Sequence, residues 1–264
     1  MITSSANEHI KALRKLEQAK DRRASGNFLA EGLKAVGQAF DSGAKIHELL
    51  VSPELLISEY GQSLIEQANK HKIPVLELSS SVFATLARKE KPQGIAALIA
   101  QKWLDLGSAF AQPGSFWVAL ESIQNPGNLG TILRTCDAVG ANGLILLDNS
   151  TDPYDPAAVK ASMGSIFTVP HFRADYPVFK AFLERSADLQ VIGTSDKAAK
   201  SAFEVAFPST VLLLLGSERQ GLSEQYISLC SQMLRIPMEG ACDSLNISVA
   251  AGVMLYQIYQ DRHK

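Results

Sequence analysis

No two of the eighteen glycines stand two residues apart, so the chain has no G-x-G-x-x-G and no ordinary G-x-G loop to hold a pyrophosphate or an adenosyl group. Cysteine is scarce. Cys136, Cys230 and Cys242 are odd in number, form no C-x-x-C pair, and read as three reduced thiols rather than a disulfide framework or a zinc site. The histidines are scattered, with no H-E-x-x-H, so the pattern offers no metal centre. Long apolar runs are missing too: the longest, Val249–Tyr256, has eight residues, against the ~20 that a membrane-spanning helix needs. Met1–Lys11 is too polar for a secretory signal. A soluble, cytoplasmic protein is the expectation.

Excess positive charge is also lacking, since the 264 residues carry a net −2. No global basic signature marks a nucleic-acid binder, but the distribution is uneven. Residues 1–34 hold Lys11, Arg14, Lys15, Lys20, Arg22, Arg23 and Lys34 against Glu8, Glu17, Asp21 and Glu31, a local +3 that leaves −5 on the rest. Ile10, Leu13 and Leu16 recur at helical spacing with Lys11, Arg14 and Lys15 opposite them. One side packs and the other is cationic. That face is either a solvated helix surface or a phosphate-contacting one.

With 46% hydrophobic and 20% charged residues the chain has a globular composition. After Gly26 the pattern predicts a second helix to about Phe40, a strand at His47–Val51, a helix near Leu56–Lys70, and strands at Ile73–Glu77 and Gly94–Ala100. The small, uncharged stretch Gly107–Gly114 reads as a linker. This divides the chain into residues 1–105, a linker at 106–114, and residues 115–264. In the last part, short apolar runs alternate with helical patterns: Phe116–Leu120, a helix from about Leu129, Leu144–Leu147, Ile166–Val169, a helix at Val178–Ala187, Val191–Gly193, Val211–Leu215, Leu234–Met238, and a final helix Leu245–Tyr259. Such alternation predicts an α/β protein whose C-terminal parallel sheet is covered on both faces. The final helix is apolar nearly all round, so it should be buried on more than one side, within the domain or against a second chain.

Three loops at predicted strand ends collect polar residues. Asn125-Pro-Gly-Asn-Leu-Gly-Thr-Ile-Leu-Arg134 runs from a strand into a helix, with Gly127 and Asn128 as turn and cap and Arg134 in an early turn. Gly216-Ser217-Glu218 follows the most apolar strand. Gly216 to Gly221 has P-loop glycine spacing, but Leu222 stands where the phosphate-binding lysine must be, which disfavours an NTPase. The third stretch begins at Ile236-Pro-Met238 and passes through Ser244-Leu-Asn-Ile-Ser248 into the last helix. Read singly, each is an ordinary turn, with Asn125 and Ser244 as helix caps.

Together, and in this order, Asn125, Arg134, Glu218, Ser244 and Asn246 resemble the three signature motifs of the SpoU (TrmH-like) family of RNA ribose methyltransferases. Asn7, Ile10, Lys11, the basic run to Arg23, Phe28 and Glu31-Gly32 are similar to that family's N-terminal RNA-binding module, and the closest likeness is to members that modify ribosomal RNA. The resemblance implies S-adenosyl-L-methionine as cofactor, bent within a deep trefoil knot tied by the segment from about Gly216 to the C-terminus. Backbone groups of Gly216, Ile236 and Leu245 would grip adenine and ribose, with Ser217, Met238 and Ser248 beside them. Lys11, Arg14, Lys15, Arg22 and Arg23 would meet RNA, ribosomal before transfer RNA, and the C-terminal domain would form a homodimer with no metal and no membrane.

The family's proposed proton acceptor matches Arg134, yet a guanidinium with a pKa above ~12 resists that role. Arg134 is then a clamp for the adjacent phosphate and the developing alkoxide, or a base after phosphate contact. Glu218 is an alternative acceptor or an orienter of Arg134, and Asn125, Ser217, Ser244 and Asn246 fix both reactants. The competing reading is a non-catalytic RNA-binding or ribosome-assembly protein that keeps the fold.

Overall fold

The computed structural model describes residues 1–87 and 91–264. They form two compact units: Met1–Lys102 with Asp152–Phe167, and Trp103–Thr151 with Thr168–Lys264.

In the first unit, β1 (Asn27–Glu31), β2 (Ile46–Val51), β3 (Val75–Glu77) and β4 (Ile95–Ala100) form one sheet in the order β1-β4-β2-β3. β4 is antiparallel to both neighbours, and β2 and β3 are parallel. Ile10, Leu13 and Leu16 join the core with Leu50, Leu78 and Phe83, as the helical spacing predicts. Residues 27–31, read as the start of a helix, are a strand instead. Phe28 and Ala30 are buried while Asn27, Leu29 and Glu31 are half-buried, an alternation of period two that a five-residue window hides beside a helix at Leu33–Asp41.

Arg22 is the clearest departure from expectation. It is 1% exposed, so it is not a surface residue free to meet RNA. Its Nε donates to Asp152 Oδ2 at 2.8 Å, its Nη2 lies 2.7 Å from the same oxygen, and its Nη1 donates to the carbonyls of Leu16 and Glu17 at 2.9 and 2.8 Å. A buried cation persists only when its donors are satisfied and its charge is paired. This ion pair, with Phe28 against the rings of Tyr154 and Phe167 at 4.7 and 6.1 Å, makes Asp152–Phe167 part of the first unit rather than of a continuous C-terminal domain. Ile166–Val169 is correspondingly a run of turns: Met163 and Gly164 hold positive φ, and Pro170 has no N–H to give a ladder.

The second unit is built on β5 (Phe116–Glu121), β6 (Gly143–Leu147), β7 (His171–Ala174), β8 (Gln190–Thr194), β9 (Lys200–Ser201), β10 (Val211–Leu215) and β11 (Gln232–Arg235). All pair in parallel, in the order β7-β6-β5-β10-β8-β11-β9. Every residue of β5, β6 and β10 is buried, the signature of strands covered on both faces. Trp117, Phe172, Phe179, Phe182 and Tyr226 fill the core on one side. The expected linker is not free: Leu106 is in that core, Arg185 donates to its carbonyl, and Ala111 and Gly114 donate N–H bonds to Ser186 Oγ and Thr210 Oγ1. Its small residues suit close packing as well as flexibility.

Candidate active site

Parallel strands end at one edge of a sheet, so the segments after β5, β10 and β11 emerge on the same side. The segment after β5 enters a helix at Pro126–Ala138, not at Leu129. Asn125 is the cap, accepting from the N–H groups of Gly127 and Asn128 at 2.8 and 3.1 Å. Proline at the first helical position fits, because its missing N–H would be unpaired there anyway. Arg134 therefore stands in the third turn, about 12 Å along the axis at ~1.5 Å per residue. The segment after β11 enters the helix Ile247–Arg262, capped by Asn246 rather than by Ser244: Asn246 Oδ1 accepts from Ser248 N at 2.9 Å and Ser248 Oγ at 2.6 Å.

Between β10 and Ser223 the chain folds on itself. Ser217 and Gly221 exchange both backbone hydrogen bonds at 3.0 Å, and Gly221 takes φ +67°. A Cβ on Gly216 would lie 2.0 Å from Gly221 C and 2.1 Å from Leu222 N, so only glycine fits that crossing. Ser223 N is held by the buried carboxylate of Glu121 at 2.9 Å.

This turn presents Glu218 to the β5 segment. Its Oε2 and Oε1 accept from Gln124 N and Asn125 N at 3.4 Å each, and Oε1 accepts from Asn128 Nδ2 at 3.1 Å. Burial pushes the Glu218 carboxyl up, but hydrogen bonds from its own backbone, the Asn128 amide and the N–H groups of Gln124 and Asn125 outweigh it, so the net shift is downward. Asn128 Oδ1 in turn accepts from Asn246 Nδ2 at 3.2 Å. Asn128, read from the sequence only as a turn and cap residue, is thus the hub that joins all three segments. Its signal was the same motif: an amide has both a donor and an acceptor, and a link between a carboxylate and a second amide needs both.

Arg134 is exposed, and its guanidinium makes no hydrogen bond or ion pair among the described residues. Ser244 is exposed, with its carbonyl accepting from Cys242 Sγ at 2.9 Å. Pro237–Asn246 is exposed throughout, including Met238 and Leu245, while Ser217, Ile236 and Ser248 are half-buried. An exposed stretch with apolar side chains, joined through Asn246 and Asn128 to the ionised Glu218, suits a ligand with an aromatic ring, a sugar and a positive charge. The residues present fit S-adenosylmethionine.

The sequence profile of the SpoU rRNA methylase family matches residues 115–256. The chain belongs to that family. Residues 7–97 match a second profile, that of the MRM3-like substrate binding domain. Over 98% of its length this SpoU chain is similar to the structure of an AdoMet-bound rRNA methyltransferase from Sinorhizobium meliloti, covering 97% of it with a TM-score of 0.89 and 35% identity. The 23S rRNA (guanosine(2553)-2′-O)-methyltransferase RlmP of Bacillus subtilis is 28% identical over 97% of this chain and 98% of its own. The 23S rRNA (uridine(2479)-2′-O)-methyltransferase of Streptomyces viridochromogenes is 29% identical over 91% and 85%. The two relatives act on different nucleotides, so the family does not dictate the target base.

The basic residues of the first unit differ in their freedom. Lys11 and Lys15 are exposed, with Lys11 Nζ 2.8 Å from Glu8 Oε1; Arg23 is exposed; Arg14 is half-buried and donates to the Ser5 carbonyl at 2.6 Å. No described helix is long and apolar enough to cross a membrane.

Proposed function

We propose that the protein transfers the methyl group of S-adenosylmethionine to a ribose 2′-hydroxyl of ribosomal RNA. The observation that carries this reading is the hydrogen-bonded chain Glu218–Asn128–Asn246, which ties three strand-end segments together, with an exposed Arg134 six residues further along the helix that carries Asn128. A non-catalytic RNA binder would have no use for it.

S-adenosylmethionine supplies an electrophilic methyl on a sulfonium. The chain's own residues must present the hydroxyl in line with that methyl and manage its proton. Glu218 is poorly suited to take the proton: its carboxyl is held below the usual range and its oxygens are engaged by two backbone amides and Asn128. It is an orienter of the Asn125 segment. Arg134, with its guanidinium uncommitted, clamps the phosphate next to the target and stabilises the developing alkoxide. Asn125, Asn246 and Ser244 fix the reactants. Gly216, Ser217, Ile236, Met238, Leu245 and Ser248 hold the adenosyl group, mostly through backbone.

Lys11, Arg14, Lys15 and Arg23 contact RNA phosphates from the first unit, and transfer RNA is the second-choice substrate. The segment from Gly216 to the C-terminus threads the family's trefoil knot, a reading supported by β10 lying between β5 and β8. Two copies pair through the C-terminal unit: Ile247, Ala251, Met254, Leu255 and Ile258 are buried, whereas Val249 and Tyr256 on the same helix are 51% and 53% exposed and apolar. The cytoplasm is the compartment we propose for it. Incubating the protein with isotopically labelled S-adenosylmethionine and ribosomal RNA from cells lacking the gene should incorporate label into RNA. Failure with both ribosomal and transfer RNA contradicts the reading.

A further inference from the structure

Glu121 ends β5 with only 7% of its surface exposed, and the methyl-transfer chemistry proposed above gives it no role. A carboxylate is kept at that depth only when its oxygens are engaged. Its Oε2 accepts from Ser223 N at 2.9 Å. β5 and β10 run side by side with Leu120 opposite Leu215, so Glu121 stands level with Gly216, where the chain leaves the sheet. Glu121 therefore holds the returning leg of the turn, Gly221–Ser223, at the level where the outgoing leg, Gly216–Ser217, begins.

The two legs touch. Backbone atoms of Gly221 and Leu222 fill the place of a Cβ on Gly216, and Ser217 and Gly221 exchange both backbone hydrogen bonds. With no side chain between them to absorb slack, a shift of one leg displaces the other. Leu222 packs into the core by its side chain. Four residues further on, the buried Tyr226 donates its hydroxyl to Asp148 Oδ2 at 2.8 Å, and burial together with the carboxylates of Asp148, Glu121 and Asp175 pushes the pKa of that hydroxyl up, so it stays a donor. These are side-chain anchors. The Ser223 side chain caps nothing in the short helix Glu224–Ile227. Among the described residues, the one hydrogen bond from the backbone of Gly221–Ser223 to a strand of the sheet is the bond to Glu121.

We propose that Glu121 is a positioning residue for the cofactor: by holding Ser223 N it keeps the Gly216–Ser217 backbone in the conformation that receives the adenosyl group. Its effect on binding rests on the reading of that backbone as the S-adenosylmethionine site; its hold on the turn does not. Once the hold is lost the turn samples conformations that cannot bind, and apparent affinity falls with the fraction that remains competent.

Glu121→Ala and Glu121→Gln, compared with wild type as full chains, separate this role from packing. Glutamine keeps an oxygen that can accept from Ser223 N, and alanine does not. In Glu121→Ala, hydrogen exchange at the amides of Ser217, Gly221 and Ser223 should quicken. Its calorimetric Kd and its KM for S-adenosylmethionine should rise on the order of ten- to a hundredfold, the range of one hydrogen bond to a charged acceptor. KM for ribosomal RNA, and kcat with both substrates saturating, should stay within about threefold of wild type. Glu121→Gln should recover most of the lost affinity. Loss of packing alone would lower the folded fraction, and kcat with it, and leave both KM values where they were. Should Glu121→Ala fail to fold, Ser223→Pro removes the donor instead, at a φ of −74° that proline adopts, and carries the same prediction. A folded variant with wild-type exchange and affinity overturns the proposal. So does Glu121→Gln as weak as Glu121→Ala, which would assign the effect to charge rather than to the bond. Failure of both Glu121→Ala and Ser223→Pro to fold would make the bond a requirement of stability and overturns the proposal too. If the wild-type chain binds no S-adenosylmethionine, the function reading fails, while the exchange measurement still decides whether Glu121 holds the turn.

Discussion

Asn128→Asp replaces the side-chain donor that links the Asn125 segment to Glu218 by a second carboxylate. The Asn128 nitrogen lies 3.1 Å from Glu218 Oε1, so two ionised oxygens would face each other at that distance. For unit charges about 4 Å apart the repulsion is about 1 kcal/mol in bulk water and about 4 kcal/mol at the effective dielectric of a protein surface. Asn128 is half-buried and Glu218 faces solvent, which puts the cost within that range and the loss of kcat between about fivefold and about a thousandfold. The pair relieves its repulsion by binding one proton, which raises one carboxyl above the ordinary range; the shared proton then restores a donor between the two groups. The ratio of variant to wild-type kcat should therefore rise as pH falls from about 8 to about 5. In the wild type Glu218 has the opposite sign: its lowered value keeps it ionised through neutral pH, and its contribution is lost only as pH falls through that lowered value. Single-turnover methylation measured across this range for wild type, Asn128→Asp and Asn128→Ala decides the matter. A ratio independent of pH, or equal losses in the two variants at every pH, would refute the role given to the Glu218–Asn128 bond.

Gly216→Ala drives a Cβ into the backbone of Gly221 and Leu222 at 2.0 and 2.1 Å, so thermal unfolding should show a loss of about 1 to 3 kcal/mol, and calorimetry should show S-adenosylmethionine binding weakened with it. Arg134→Ala should abolish turnover and leave cofactor affinity within about twofold, because its contacts are to RNA and transition state; a large loss of affinity in calorimetry would place Arg134 in the cofactor pocket. Replacing Lys11, Lys15 and Arg23 together by alanine should weaken RNA binding and reduce the slope of log K against log salt by about 0.7 to 0.9 for each phosphate no longer neutralised; an unchanged slope makes that surface merely solvated.

The parallel sheet was legible because fully buried strands such as Val211–Leu215 appear as unbroken apolar runs. The three polar segments were legible for the same reason, since each begins where a run ends. Arg22 was not. Locally it is indistinguishable from Arg23, and its carboxylate partner lies 130 residues away. The same pairing defeats a linear division of the chain: removing residues 1–105 would leave Asp152, Tyr154 and Phe167 without the Arg22 and Phe28 they pack against. Asn128 is ambiguous in sequence because short polar residues after a strand serve equally as caps or as bridges, and only the third dimension separates the uses. Strand β9, Lys200–Ser201, leaves no trace in the sequence because two residues have no periodicity.

Methylation of a ribose oxygen leaves a chemical mark that alkaline hydrolysis reads. A methylated 2′-oxygen cannot attack the neighbouring phosphate, so the linkage that follows it survives alkali. End-labelled ribosomal RNA fragments treated with the protein and S-adenosylmethionine should show one gap in an otherwise even ladder, absent when the cofactor is withheld. Methyl incorporation with an unbroken ladder would put the methyl on a base and contradict ribose methylation.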